Sequence, residues 1–172
     1  SDGAVITSPD GITWVTRTTS IRSSIIYGNG LFVAGSVNSA SFLTSPDGIT
    51  WTTTAVTGAS WVTSVTYGNG LFVAASPYGG SNIFTSPDGI TWTGRTTPSY
   101  TWSAVTYGNG LFAVGSYDGN FMTSIDGVNW VLRPKPYSDT PQVNGMTYGD
   151  GLFVGVSFNG SKKVITSGKK LT

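Results

Sequence analysis

The side chains best suited to chemistry are four aspartates that recur in one setting. Asp10 lies in Thr7-Ser8-Pro9-Asp10-Gly11-Ile12-Thr13-Trp14, and copies begin at Thr44 and Thr85 and place Asp47 and Asp88. A looser copy, Thr123-Ser124-Ile125-Asp126-Gly127-Val128-Asn129-Trp130, places Asp126, and a degenerate one begins at Thr166. Repeated carboxylates suggest acid–base catalysis or calcium ligation. A glycosidase, however, needs two carboxyls within about 10 Å of each other, and here there is one per repeat. An aspartate in a Pro-Asp-Gly turn has a simpler use, which is to accept hydrogen bonds from the amides of its own turn. The expected role of Asp10, Trp14, Asp47, Trp51, Asp88, Trp92, Asp126 and Trp130 is therefore structural.

The rest of the chemistry is defined by absences. The chain has no Cys, no His and no Glu, whereas hydrolase triads and zinc sites draw chiefly on His or Cys. The expectation is no catalytic residue, no metal, no cofactor and no enzymatic activity. The net charge is +1 without a basic run, which gives nucleic acid and anionic membranes no electrostatic attraction. Apolar runs span only a few residues, so no membrane insertion is expected.

The elements that position these residues follow from a repeat. Tyr27-Gly28-Asn29-Gly30-Leu31-Phe32-Val33 recurs from Tyr67, Tyr107 and Tyr148, at spacings of 40, 40 and 41 residues. Gly-Asn-Gly supplies the positive φ angles of a tight hairpin. Each unit reads as four short strands: a, such as Ser64–Tyr67; b, Leu71–Ala75, apolar on both faces; c, Asn82–Thr85; and d, Ile90–Thr93. Antiparallel four-stranded units near this length, with inner strands covered on both faces, are the signature of a β-propeller. A parallel β-helix is the competing architecture, but its repeats are shorter and lack paired hairpin turns. The small residues Ser24, Ser64, Ala104 and Gly145 are expected where strand a meets the crowded axis.

Ser-x-Asp-Gly-x-Thr-Trp resembles the Asp box of sialidases and many other propellers, with one residue fewer between Asp and Gly. The Tyr-Gly-Asn-Gly-Leu-Phe-Val motif resembles repeats of secreted bacterial and phage-borne propellers of the same superfamily. The resemblance implies an all-β, four-bladed propeller with the Asp box on an outer hairpin. Sialidase catalysis, as the family is understood, uses an Arg triad, a Tyr–Glu couple and an Asp acid. Without Glu the couple cannot form, and Arg17, Arg22, Arg95 and Arg133 fall in or near d-to-a loops.

The whole of 1–172 reads as one domain: strands c and d in 3–17, full blades near 22–54, 61–95 and 101–133, and strands a, b and c in 143–167. Seventeen strands result where four closed blades need sixteen, because strand c occurs twice, as Ala4–Thr7 and as Lys163–Thr166. The spare copy, with Val164, Ile165 and Thr166, is a candidate assembly strand, since an unpaired edge adds readily to another sheet. The first functional expectation is thus a self-assembling structural subunit whose partner is itself, head to tail, in a filament or ring. The second is a lectin-like module that binds glycans or proteins through the variable b–c and d–a loops, with Tyr78, Tyr100, Trp102, Tyr117, Asp118 and Tyr137 as candidate contacts. A third is half of an eight-bladed ring made by two chains. Low Lys with high Thr, Ser, Gly and Asn suits an extracellular, cell-surface or virion-appendage location. The Ser1-Asp2-Gly3 start suits a mature product or an excised domain.

Overall fold

The computed structural model describes residues 4–17, 23–37, 39–79, 82–135, 141–159 and 164–167. All regular structure among them is β: seventeen strands in five antiparallel sheets, taken in order along the chain. The first sheet holds β1 (Val5–Thr7) and β2 (Val15–Arg17). The second holds β3 (Ile25–Gly28), β4 (Leu31–Gly35), β5 (Ser41–Ser45) and β6 (Thr52–Ala55), and the third β7 (Ser64–Gly68), β8 (Leu71–Ala75), β9 (Ile83–Ser86) and β10 (Thr93–Arg95). In the fourth are β11 (Trp102–Gly108), β12 (Leu111–Ser116), β13 (Phe121–Ser124) and β14 (Val131–Arg133). The fifth has three strands, β15 (Val143–Gly149), β16 (Leu152–Ser157) and β17 (Val164–Thr166).

Within a sheet each strand pairs with its sequence neighbour, which tight turns permit. At the a–b hairpins, Asn29, Asn69, Asn109 and Asp150 have φ of 50–51°, and the glycines after them 72–79°. Two consecutive left-handed residues make the turn whose twist matches that of paired strands.

Three contacts recur where one sheet meets the next. The first is a tyrosine laid on a glycine. A Cβ added to Gly28 would lie 2.3 Å from the ring of Tyr67, at Gly68 2.1 Å from Tyr107, and at Gly108 2.0 Å from Tyr148. The second is a hydroxyl in or just before strand a bonded to a carbonyl at the same place in the next sheet: Ser23 to Val62, Thr63 to Ser103 (2.8 Å) and Ser103 to Val143. Ser24 and Ser64 likewise donate to Val65 and Val105. The third is the repeat tryptophan, seated on strand c of the preceding sheet. Trp92 stacks on Phe42 at 3.6 Å and 5°, Trp130 joins the cluster around Ile83 and Phe112, and Trp51 packs with Val5.

Strand d differs from expectation. It starts after the tryptophan, at Val15, Thr52, Thr93 and Val131, rather than before it. The preceding two amides are taken by the aspartate of the turn, as described below, and cannot join the ladder. Arg17, Arg95 and Arg133 prove to end strand d, where each Nε–H donates to Thr7, Thr85 or Thr123 on the paired strand c; Arg22 lies outside the described residues.

Among the described residues the two chain ends do not share a sheet. β1–β2 and β15–β17 are separate sheets at opposite ends of the stack. Tyr27 is 57% exposed, and no atom of the described residues lies within 4 Å of a Cβ placed on Gly149. The tyrosine-on-glycine contact that would join these ends is absent. The stack is open.

Candidate functional site

Each Asp box is a self-contained turn. In the first, Asp10 Oδ1 accepts the amides of Ile12 and Thr13 at 2.8 Å and the Ser8 hydroxyl at 2.9 Å, while Ser8 Oγ accepts the Gly11 amide at 2.8 Å. Asp47, Asp88 and Asp126 repeat the arrangement. The tryptophan closes it, because each indole N–H donates to the glycine carbonyl three residues back, at 3.0–3.2 Å. Hydrogen bonds to a carboxylate favour its charged form. The two amides, more than the Ser hydroxyl, accordingly hold Asp10, Asp47 and Asp88 at about 2 against an ordinary 3.8, and Asp126 lower still. These are turn-holding carboxylates, one in each of the first four sheets. Among the described residues no three His, Cys, Asp or Glu side chains gather to hold a metal ion.

A pH dependence follows. A carboxylate whose pKa is depressed by folding adds stability above its unfolded pKa and loses it as pH falls through the folded one. The thermal midpoint should therefore stay level from neutral pH down to about 4 and drop between 3.8 and about 2 as the boxes protonate. Calorimetry across that range tests this, and a fall already complete at pH 5 would contradict it.

The candidate ligand residues lie on the other face. Tyr78, Tyr100, Tyr117 and Asp118 line one cleft of about 740 Å³, with Asn82, Asn120, Thr101 and Lys135. It is formed by the b–c loops of the third and fourth sheets and the d–a loops beside them. The loops are tied together: Asp118 Oδ2 accepts both the amide (2.8 Å) and the hydroxyl (2.7 Å) of Thr101, Lys135 Nζ donates to the Asp118 carbonyl at 2.9 Å, and Asn82 donates to the Tyr100 carbonyl at 2.7 Å. Tyr78 is 47% exposed and braced edge-on by Trp61, with centroids 5.1 Å apart. Burial first, and the Tyr78 phenol second, push the Tyr117 hydroxyl above its usual range, which keeps it a neutral donor and acceptor.

Two of the sequence candidates are not found at the cleft surface. Trp102 is fully buried, its N–H donating to the Pro98 carbonyl at 3.0 Å and its ring meeting Tyr100 edge-on, so it supports the wall and touches no ligand. Tyr137 lies outside the described residues. Asn82, Lys135 and Trp61 were missed as candidates; the variable loops that carry Asn82 and Lys135 were the available signal.

No family profile matches the sequence, and no curated protein matches it. Solved structures do. Virginiamycin B lyase from Staphylococcus aureus superposes with a TM-score of 0.74 at 10% identity, over 95% of this chain and 62% of that one. The fold is a β-propeller. A streptogramin B lyase gives 0.69 at 15% identity over 88% of this chain and 53% of its own, and YCF48 bound to D1 peptide gives 0.65 at 18% over 88% and 50%. This chain thus spans 50–62% of the length of these three propellers. Two of them are lyases, which corrects the expectation of no enzymatic activity. The missing Glu removes one family's catalytic apparatus, but the propeller architecture itself also carries enzymes.

Proposed function

We propose that this propeller is a recognition module whose cleft between the third and fourth blades binds an extended segment of a protein partner. The observation that carries this reading is the convergence of Tyr78, Tyr100 and Tyr117 with Asp118 and Lys135 around one cleft of cross-tied loops. Tyrosine offers large contact area at small entropic cost and is enriched at binding hot spots. A cleft whose loops are already fixed avoids the ordering cost of binding. The structurally similar YCF48 was solved with a peptide bound, which supports a peptide as the ligand class.

A displayed random-peptide library and a glycan array, each probed with the intact chain, test the reading. Selected peptides should bind, and Tyr78→Ala or Tyr117→Ala should each weaken them at least about tenfold, as truncation of a hot-spot aromatic does. Binding confined to the glycan array would replace the peptide with a carbohydrate. Silence in both would overturn the proposal.

One observation favours a second reading, assembly of the chain with other molecules. Both ends of the stack expose blade-type surfaces, with Trp14 at 55% and Tyr27 at 57% exposure at one end and, at the other, a β17 edge that no strand among the described residues pairs with.

A further inference from the structure

The last interface of the stack contains a cavity with a defined shape. About 230 Å³ of apolar space lies between the fourth and fifth blades, lined by Phe121, Met122, Met146, Phe153 and Ile165. Its position is set by the repeat. Trp92 stacks on Phe42 and lies 6.5 Å from Phe72, in the interface of the second and third blades. Phe121 and Phe153 occupy the same places one turn of the repeat later, as their registers show: Phe42 faces Gly35, Phe121 faces Gly115, and Phe72 and Phe153 each face the repeat tyrosine. The cavity is therefore a tryptophan seat. No tryptophan among the described residues fills it, since Trp130 is already seated with Ile83 and Phe112.

The opposite end carries the matching parts. Trp14 is oriented by its own Asp box as the seated tryptophans are, through the indole bond to Gly11, yet is 55% exposed. Tyr27 is 57% exposed where Tyr67, Tyr107 and Tyr148 each cover a glycine, and Gly149 is the one glycine of that series left uncovered. Ile6, 54% exposed, stands at the strand-c position where Ile165 is buried in the fifth sheet.

From this complementarity we infer that two copies of the chain close into a single eight-bladed ring. The inference rests on the assembly reading above. The β1–β2 hairpin of one copy takes the place of β17 beside β16 of the other. It seats Trp14 against Phe121 and brings Tyr27 over Gly149, while Val5 keeps its contact with Trp51. β17 is the spare strand c, since β1 carries both the hairpin and the contact with the second blade. Each copy contributes three complete blades, and each of two composite blades joins strands a and b of one copy to strands c and d of the other. The docking repeats the step that relates neighbouring blades within the chain, so it continues round the same axis, and two copies meet at both ends when that step is one eighth of a turn.

Sedimentation equilibrium of the 172-residue chain decides it. The unaltered chain should have twice its own mass. Gly149→Ala should return it to a single mass with an unchanged far-ultraviolet spectrum, because none of the described residues comes within 4 Å of the new methyl in the single chain. Trp14→Ala is the second variant and should weaken the dimer at least about a hundredfold, as loss of a buried aromatic anchor does. A single mass for the unaltered chain would overturn both the ring and the assembly reading. Species larger than two copies would overturn the ring alone, and a dimer that survives Gly149→Ala would overturn the pairing of the ends.

Discussion

Trp102→Ala should lower the unfolding free energy by about 4 kcal/mol, the upper part of the range for a buried Trp truncated to Ala. Its ring is fully buried among Ile83, Val105, Phe112 and Met122 between the third and fourth blades. Truncation removes the apolar transfer energy, opens a cavity between two sheets, and leaves the Pro98 carbonyl without the indole donor it now has at 3.0 Å. Those losses act together, and a domain of this size has only about 5–15 kcal/mol of net stability. The cleft should suffer too, because Tyr100 rests edge-on against Trp102 at 5.5 Å. Urea titration measures the first effect, and peptide binding well below the denaturation midpoint measures the second. A loss under about 1 kcal/mol, the usual value for a surface change, would show that the ring is not the keystone its burial implies. Trp14→Ala is the internal control: the same residue type, half exposed in the single chain, should cost that chain little.

The contrast between these two tryptophans shows what the sequence could and could not reveal. Strands a, b and c were legible because hairpin chemistry and apolar runs are local: Asn29-Gly30 announces its turn, and Phe72-Val73-Ala74 announces a strand covered on both sides. Strand d was misplaced by three residues or so, since nothing in Ile90-Thr91-Trp92 says that Asp88 will claim the amides of Ile90 and Thr91. The cleft was half legible. Variable loops pointed to Tyr78, Tyr100, Tyr117 and Asp118, but aromatic character does not say which side of the wall a ring occupies. Trp102 and Tyr100, two residues apart, fell on opposite sides because Tyr100 lies in a bend before β11 begins at Trp102, so the period-two alternation of a strand does not relate them. Lys135 and Asn82 enter the site through tertiary ties to Asp118 and Tyr100, and no local pattern encodes such ties.

Gly68→Ala and Gly149→Ala form the second test, the same methyl added at equivalent strand positions. At Gly68 the new Cβ would lie 2.1 Å from Cγ and Cδ1 of Tyr107. Those atoms sit close to the tyrosine backbone, and the ring is held by Phe112 at 4.7 Å, so the clash cannot be relieved by swinging a flexible tip away. Neither glycine has a left-handed φ, and backbone strain does not enter the comparison. Replacing Gly by Ala stabilises by about 0.4–1 kcal/mol through the unfolded chain, which opposes the clash, whereas overpacking a close interface costs about 1–3 kcal/mol and sometimes more. With a contact this short, overpacking wins at Gly68, and the third and fourth blades must part or shift. At Gly149 nothing meets the methyl, so only the entropic gain remains. Measured at a dilution where copies do not associate, the two variants should differ by about 2 kcal/mol or more in urea unfolding, with Gly68→Ala destabilised and Gly149→Ala level with or slightly above the parent chain. Equal stabilities would mean that the tyrosine-on-glycine contact does not hold neighbouring blades together. The proposed closure of two chains through Tyr27 and Gly149 would then lose its physical basis as well.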